Sequence, residues 1–128
     1  MTQKNPRPLS PHLSIWKWGP AMAVSILHRI TGDGMAIVGG LLFSWWLFAA
    51  ASGPEYYGMF EDIMGSWVGY VVLIGLSWAF FQHLLSGLRH FVLDVGAGYE
   101  VDANNMWSTV IPLLALVLTA GFWALILL

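Results

Sequence analysis

The sequence predicts an all-α integral membrane protein with three transmembrane helices. Its 128 residues are 58% hydrophobic and only 9% charged, with a mean hydropathy of +0.70, whereas a soluble domain carries about 25% charged residues. Three stretches, 34–54, 63–88 and 103–128, contain no Asp, Glu, Lys or Arg. Each reaches the ~20 residues that cross about 30 Å of hydrocarbon as a helix. Only a helix satisfies the backbone of an open chain there, because lipid offers no hydrogen-bonding partners.

Proline, glycine and serine residues locate the ends of these helices within a single transmembrane domain. Pro20 suits a first helical turn, and Ser52-Gly53-Pro54 ends the first helix. Gly96 and Gly98 follow the second helix as stop signals. Pro112 lies in the first two turns of the third, where a proline can kink a helix. The predicted bounds are 1–20 for a cytoplasmic N-terminal segment and about 21–51, 66–94 and 105–128 for the helices.

The basic side chains all fall on one side of this topology. The predicted loop between the first two helices carries Glu55, Glu61 and Asp62 but no base. The positive-inside rule therefore predicts a cytoplasmic N-terminus. The start of the chain resembles neither a secretory signal nor a transit peptide, so we expect a multi-pass protein of a bacterial cell inner membrane. The basic residues are Lys4, Arg7, Lys17, Arg29 and Arg89.

Charge and cysteine content exclude several kinds of function. The net charge of -2 does not favour binding to nucleic acid. The absence of cysteine excludes disulfides, thiolate metal sites and protein-ligated iron–sulfur clusters within this chain. A metal could be held only by histidine, carboxylate or methionine. The histidines are His12, His28, His83 and His90.

A polar stripe lies at the start of the first helix. Residues three and four apart share a helix face, so a hydroxyl, an imidazole, a guanidinium and a gap without a side chain lie together. Arginine near the hydrocarbon edge can simply extend to lipid headgroups, but lipid contact does not need the serine. A fixed cation with donors suits a quinone head group, or acidic groups such as heme propionates. The four residues are Ser25, His28, Arg29 and Gly32.

The second helix carries a histidine inside the predicted hydrocarbon region. His83 precedes Arg89 by six residues and therefore lies about 9 Å deeper. An ionisable side chain at that depth is a functional candidate. Two interpretations remain open: a neutral histidine bonded to a neighbouring helix, or the axial ligand of a b-type heme.

His83 and His90 cannot ligate the same iron. They share a face but differ in height by about 10 Å, whereas the two axial nitrogens of a heme are roughly 4 Å apart. The remaining histidines lie in the N-terminal tail and near the membrane surface. One heme at most is therefore predicted, with its second ligand on another chain. Gly87 could leave room for the macrocycle, but helix packing explains it equally, as it explains the GxxxG pair Gly65 and Gly69.

The chain carries three spaced motifs: Arg7-Pro8-Leu9-Ser10-Pro11-His12-Leu13, then Ser25-x-x-His28-Arg29-x-Thr31-Gly32, then His83-x-x-x-Gly87-Leu88-Arg89-His90 followed by Asp94. In this order they resemble the cytochrome b556 membrane-anchor subunits of succinate dehydrogenase. The match covers the amino-terminal third and the second helix, and the length and helix number also agree. The third helix adds only hydrophobicity. Leu93 departs from the family, which tends to carry an aromatic residue or methionine there.

The resemblance implies an anchor subunit of respiratory complex II that does not itself contact succinate. A second anchor subunit would pack with this chain into a helical bundle, and together they would hold the iron–sulfur and flavoprotein subunits. His83 matches the family's heme b ligand, with the opposite ligand on the partner anchor, and His28 and Arg29 would lie near the propionates. Ser25 and Arg29 match the ubiquinone pocket. The histidine matching His90 is not an iron ligand.

Three other interpretations compete with this one. A fumarate reductase anchor working with menaquinol would differ in quinone and in reaction direction. A structural transmembrane subunit would bind neither heme nor quinone. A small standalone cytochrome b fits poorly, because only one histidine lies deep in the membrane.

Overall fold

The computed structural model describes Pro8 and residues 10–128, and within them the chain forms helices and no strand. Three spans are long and apolar enough to cross a membrane: Pro20–Ser52, Trp67–Asp94 and Val101–Leu127. The predicted all-α fold class with three spanning helices is confirmed. Lys4 and Arg7, which entered the orientation prediction, and part of the first motif lie outside the described residues. The helices are α1 (Pro20–Gly34), α2 (Gly40–Ser52), α3 (Pro54–Met64), α4 (Trp67–Asp94) and α5 (Val101–Leu127).

The first span is one continuous helix made of α1, a π-helical turn and α2. It begins at Pro20, in the first turn, where the missing N–H costs no hydrogen bond. The π turn covers Met35–Gly39, and nothing in the apolar pattern predicted it. Gly53 ends the span with a φ of 102°, a backbone conformation that side chains with a Cβ disfavour.

The connection between the first two spans is itself a helix, α3, where the sequence predicted a loop. Its aromatic residues pack back against α2: the ring centroids of Trp45 and Phe60 are 4.8 Å apart, and those of Phe48 and Tyr56 are 6.4 Å apart. Sequence patterning missed α3 because it is only 11 residues long. Such a short helix depends on tertiary contacts for its stability.

Ser66 separates α3 from α4 and corrects one prediction. Its hydroxyl accepts from the N–H of Gly69 at 3.4 Å and donates to the carbonyl of Ile63 at 2.6 Å, as an N-cap does. Gly65 caps the end of α3, whereas Gly69 lies in the first turn of α4. The predicted GxxxG pair therefore does not lie on one helix face and forms no helix-packing motif. A Cβ on Gly69 would overlap the backbone of Met64.

The third span starts earlier than predicted, at Val101 rather than about 105. The uncharged stretch begins only at residue 103, but a helix can start outside the hydrocarbon region, where charged residues are tolerated. Asp102 lies in its first turn, where a negative charge interacts favourably with the helix dipole. The helix then continues through Pro112.

The interior of the three-span bundle is made of small and polar side chains, and many large apolar ones face outward. This arrangement suits helices in lipid, where small residues allow close approach and polar groups bond between helices. Leu41 and Leu125, for example, are 68% and 86% exposed. The buried residues are Val24, Thr31, Ala49, Gly69, Gln82, Ser86, Ser108, Ile111, Ala115 and Thr119.

Ala115 tests this packing, because it is 0% exposed at the centre of α5. We expect Ala115→Leu to destabilise the protein by about 1–3 kcal/mol, since the larger side chain must force the helices apart. Ala120→Leu is the matched control, because Ala120 is exposed on the same helix. The thermal unfolding midpoint of the purified complex measures both. An equal shift for the two variants would contradict the packing described.

Candidate functional site

The starts of α1 and α5 meet the end of α4 at one end of the bundle. Arg89 near the end of α4 donates from Nη2 to the side-chain oxygen of Asn104 in α5, and the rings of His28 and His90 join α1 to α4. Lys17 precedes α1 at this end, which we call the basic end. The connection with Glu55, Glu61 and Asp62 lies at the opposite end, in α3.

His83 is fixed to α1 by one of its two ring nitrogens. Its Nδ1 lies 2.9 Å from the carbonyl oxygen of His28 and 3.4 Å from Oγ1 of Thr31. A carbonyl only accepts, so Nδ1 must carry the proton and donate it. The neutral ring then has its lone pair on Nε2. Within the described residues Nε2 makes no hydrogen bond, so it remains available as a ligand.

The structure brings three of the histidines together. The rings of His28 and His83 stack, with centroids 3.9 Å apart and planes 10° apart, and His28 lies 5.1 Å from His90. The sequence placed His28 only near the membrane surface and did not predict its contact with His83. The fourth, His12, lies in the segment before α1 and bonds Ser14 through Nδ1 at 2.5 Å.

This histidine cluster is not a complete metal site. Among the residues that the structure describes, no group of three or more His, Cys, Asp or Glu side chains could hold a metal ion. His28 lies beside the ring of His83, face to face, rather than beyond its Nε2. The donor set therefore fits one axial position of a heme, with an imidazole oriented through Nδ1 and open at Nε2.

Gly87 lies against His28 rather than beside open space. A Cβ there would be 3.8 Å from Cε1 of His28, which is ordinary van der Waals contact. The prediction that Gly87 leaves room for a macrocycle remains a prediction, and the observed contact favours its helix-packing interpretation.

Ser25 and Arg29 lie one turn apart on α1, and both have side chains without a bonding partner among the described residues. Ser25 is half-buried and Arg29 is exposed, and within the described chain neither side chain forms a hydrogen bond or ion pair. This distinguishes Ser25 from seven other helical hydroxyls, which donate to a carbonyl four residues earlier. Those seven are Thr31, Ser44, Ser52, Ser77, Ser108, Thr109 and Thr119.

Two polar features were missed from the sequence. Gln82 and Ser86 are 0% and 1% exposed and bond each other at 3.1 Å, and Oε1 of Gln82 has no partner among the described residues. A cleft of about 320 Å³ lies between α4 and α5 beside Arg89 and Asn104, and it is otherwise largely apolar. In both cases the sequence does contain a polar residue within an apolar helix that could have revealed the feature. This residue is Gln82, next to His83, for the buried pair, and Asn104, at the start of α5, for the cleft.

A family model described as "Succinate dehydrogenase/Fumarate reductase transmembrane subunit" matches residues 3–122. The chain belongs to this family. The resemblance inferred from the three motifs is thereby confirmed, and the third helix, which added only hydrophobicity to the motif comparison, lies largely within the match.

Curated relatives extend the family assignment over most of the chain. A succinate dehydrogenase cytochrome b556 subunit from Paracoccus denitrificans is 40% identical over 102 residues, which is 80% of this chain and 78% of the relative. The same subunit from Rickettsia felis is 33% identical over 119 residues, 93% of this chain and 92% of the relative. A mitochondrial cytochrome b560 subunit from Mus musculus is 34% identical over 122 residues, 93% of this chain and 71% of the relative.

Family membership and the three spans make this chain a multi-pass membrane subunit of an oxidoreductase complex. The first and second spans of this chain carry the second and third motifs, whose side-chain geometry is described above. The structure brings His28 and His83 into contact, and it leaves Ser25 and Arg29 without partners among the described residues. It places Gly65 and Gly69 outside this site.

Proposed function

We propose that this chain is a membrane-anchor subunit of succinate dehydrogenase that holds one side of a heme b and helps to form the site of ubiquinone reduction. The observation that carries the proposal is the orientation of His83, whose Nδ1 is bonded to α1 while Nε2 keeps a free lone pair. The names of the relatives support the role in complex II. Heme b, when bound, accepts and donates single electrons.

His83 would occupy one axial position, and a second anchor subunit would supply the other. The second ligand would have to come from beyond Nε2, on the far side of the heme. His28 is stacked on the face of the His83 ring and therefore cannot take that position. His90 is seven residues further along α4, about 10 Å away in height. The chain thus provides half of a site, which its partner completes.

Ser25 and Arg29 would bind the quinone head group. Both side chains can donate hydrogen bonds to a quinone oxygen, and the guanidinium stabilises negative charge as that oxygen is reduced. Neither side chain donates a hydrogen bond to another group in the described chain. His28 and Arg29 would also lie near the heme propionates, and the stacking of His28 on the His83 ring, with centroids 3.9 Å apart, supports this for His28.

The basic end would face the cytoplasm of a bacterial cell, with the protein in the inner membrane. Lys17, Arg29 and Arg89 lie at this end, and the positive-inside rule supports that orientation. The iron–sulfur and flavoprotein subunits would then bind at this face. Succinate would be oxidised in those subunits, and electrons would reach quinone beside Ser25 and Arg29 without succinate touching this chain.

A fumarate reductase anchor that oxidises menaquinol is the second candidate. The matching family includes both enzymes by its description, and Ser25 and Arg29 could bind either quinone. Assay of the purified complex with ubiquinone and with menaquinol discriminates them, because the proposed function requires faster turnover in the direction of ubiquinone reduction.

A redox difference spectrum of the complex, purified with its partner chains, tests the heme. We expect a b-type spectrum in the reduced-minus-oxidised difference, because a histidine-ligated heme b changes its absorbance when its iron is reduced. A purified and fully assembled complex without Soret absorbance would instead identify the chain as a structural transmembrane subunit.

A further inference from the structure

We propose that Gly32 and Thr31 are positioning residues that fix the imidazole of His83 in the orientation in which Nδ1 is bonded to α1 and Nε2 is free to bind a metal. This inference rests on the proposed heme-binding function. It concerns how α1 holds the ligand rather than which residue is the ligand.

Gly32 supplies the space that the imidazole occupies. A Cβ at this position would lie 2.8 Å from Cε1 of His83 and 3.2 Å from its Nδ1, closer than carbon atoms approach without a shift. The ring cannot move aside freely, because Nδ1 is bonded to the carbonyl of His28 and the ring of His28 stacks on it. Any side chain at Gly32 would therefore displace the imidazole and break the bond that orients it.

Thr31 supplies a second acceptor for the same proton. Its hydroxyl donates to the carbonyl of Leu27 at 2.7 Å, so its oxygen lone pairs face Nδ1 of His83 at 3.4 Å. The side chain is 4% exposed, so water does not replace these bonds. Two acceptors at Nδ1 hold both the tautomer and the plane of the ring, as outer-shell partners do for other metal-bound histidines.

Gly32→Ala in the intact complex tests whether the imidazole of His83 needs the space that the missing Cβ of residue 32 leaves. We expect heme affinity to fall by about 10- to 100-fold, the range seen when the support of a metal ligand is removed, and heme content per complex measures it. Gly34→Ala is the matched control, because Gly34 lies on the same helix and a Cβ there would meet nothing within 4 Å. Wild-type heme content and spectrum in Gly32→Ala would overturn the role of Gly32.

Thr31→Val and Thr31→Ser provide a test that does not depend on added volume. We expect Thr31→Val to keep the heme but to shift its midpoint potential and its electron paramagnetic resonance signal, because both depend on the hydrogen bonding and the ring plane of the ligating His83. Thr31→Ser keeps the hydroxyl and should leave both unchanged. Identical signals in wild type and Thr31→Val would overturn the role of Thr31. This test remains decisive even if Gly32→Ala yields no assembled complex.

His83→Ala separates this inference from the proposed function. Heme that survives His83→Ala with an unchanged spectrum contradicts the ligand assignment itself. Heme that is lost in His83→Ala but unchanged in Gly32→Ala and Thr31→Val contradicts only the positioning inference.

Discussion

His83→Ala is expected to abolish the b-type spectrum of the complex, because Nε2 of His83 is the proposed axial ligand on this chain. The variant also loses the hydrogen bond to the carbonyl of His28. A lost hydrogen bond costs about 1 kcal/mol, and the space left by the ring that stacks on His28 adds to this cost. Retained oxidation of succinate by an artificial acceptor would show that the complex is still assembled, so that heme loss reports ligation.

His90→Ala is the matched control for His83→Ala. His90 lies on the same helix, and it contacts the ring of His28 at 5.1 Å, but its height on the helix excludes ligation of the same iron. We expect its heme spectrum to be retained. A spectrum that survives His83→Ala but disappears in His90→Ala would move the ligand to His90 and contradict the site described here.

The second large effect is expected at Arg29. Arg29→Ala should slow quinone reduction by about 100-fold, in the range found when a donor to a developing negative charge is removed. Oxidation of succinate by an artificial acceptor should continue, because that reaction does not use the quinone site. Arg29→Lys keeps the charge but loses the planar fork of donors, and we expect an intermediate rate.

Ser25→Ala should act in the same direction as Arg29→Ala but by about 10-fold, since a single neutral donor is lost. Lys17→Ala and Ser44→Ala are the controls: Lys17 is an exposed base at the same end of the bundle, and Ser44 donates to the carbonyl of Gly40. If Arg29 only extends its charge to lipid headgroups, Arg29→Ala and Lys17→Ala will behave alike. Equal loss of quinone and artificial-acceptor activities in Arg29→Ala would indicate failed assembly.

The three spanning helices could be predicted from sequence because lipid leaves the backbone no alternative. An uncharged stretch of sufficient length must become a helix, so the spans are confirmed although their ends moved. The start of α5 at Val101 and the π turn at Met35–Gly39 were not predicted. Helix α3 was also missed, because its 11 residues are few and lie between two spans, although Pro54 and Glu55 in its first turn are helix-start signals.

Part of the candidate site was also readable in the sequence. Helical spacing placed Ser25 one turn from Arg29, and it excluded His83 and His90 as ligands of one iron. Spacing along one helix says nothing about contacts between helices, however. It did not predict the stacking of His28 on His83, and it placed Gly65 and Gly69 on a common face that the turn at Ser66 breaks.

The sequence by itself determined that this chain has three helices long and apolar enough to cross a membrane, and to which family it belongs. It also predicted which ionisable residues lie at or within the hydrocarbon. These properties follow from composition, motif and helical period, which are local. Only the tertiary structure decided which nitrogen of His83 is free, because that depends on the carbonyl of His28 and the hydroxyl of Thr31 on another helix. It also decided why residue 32 is glycine, since the limiting contact there is with a side chain 51 positions away in the sequence.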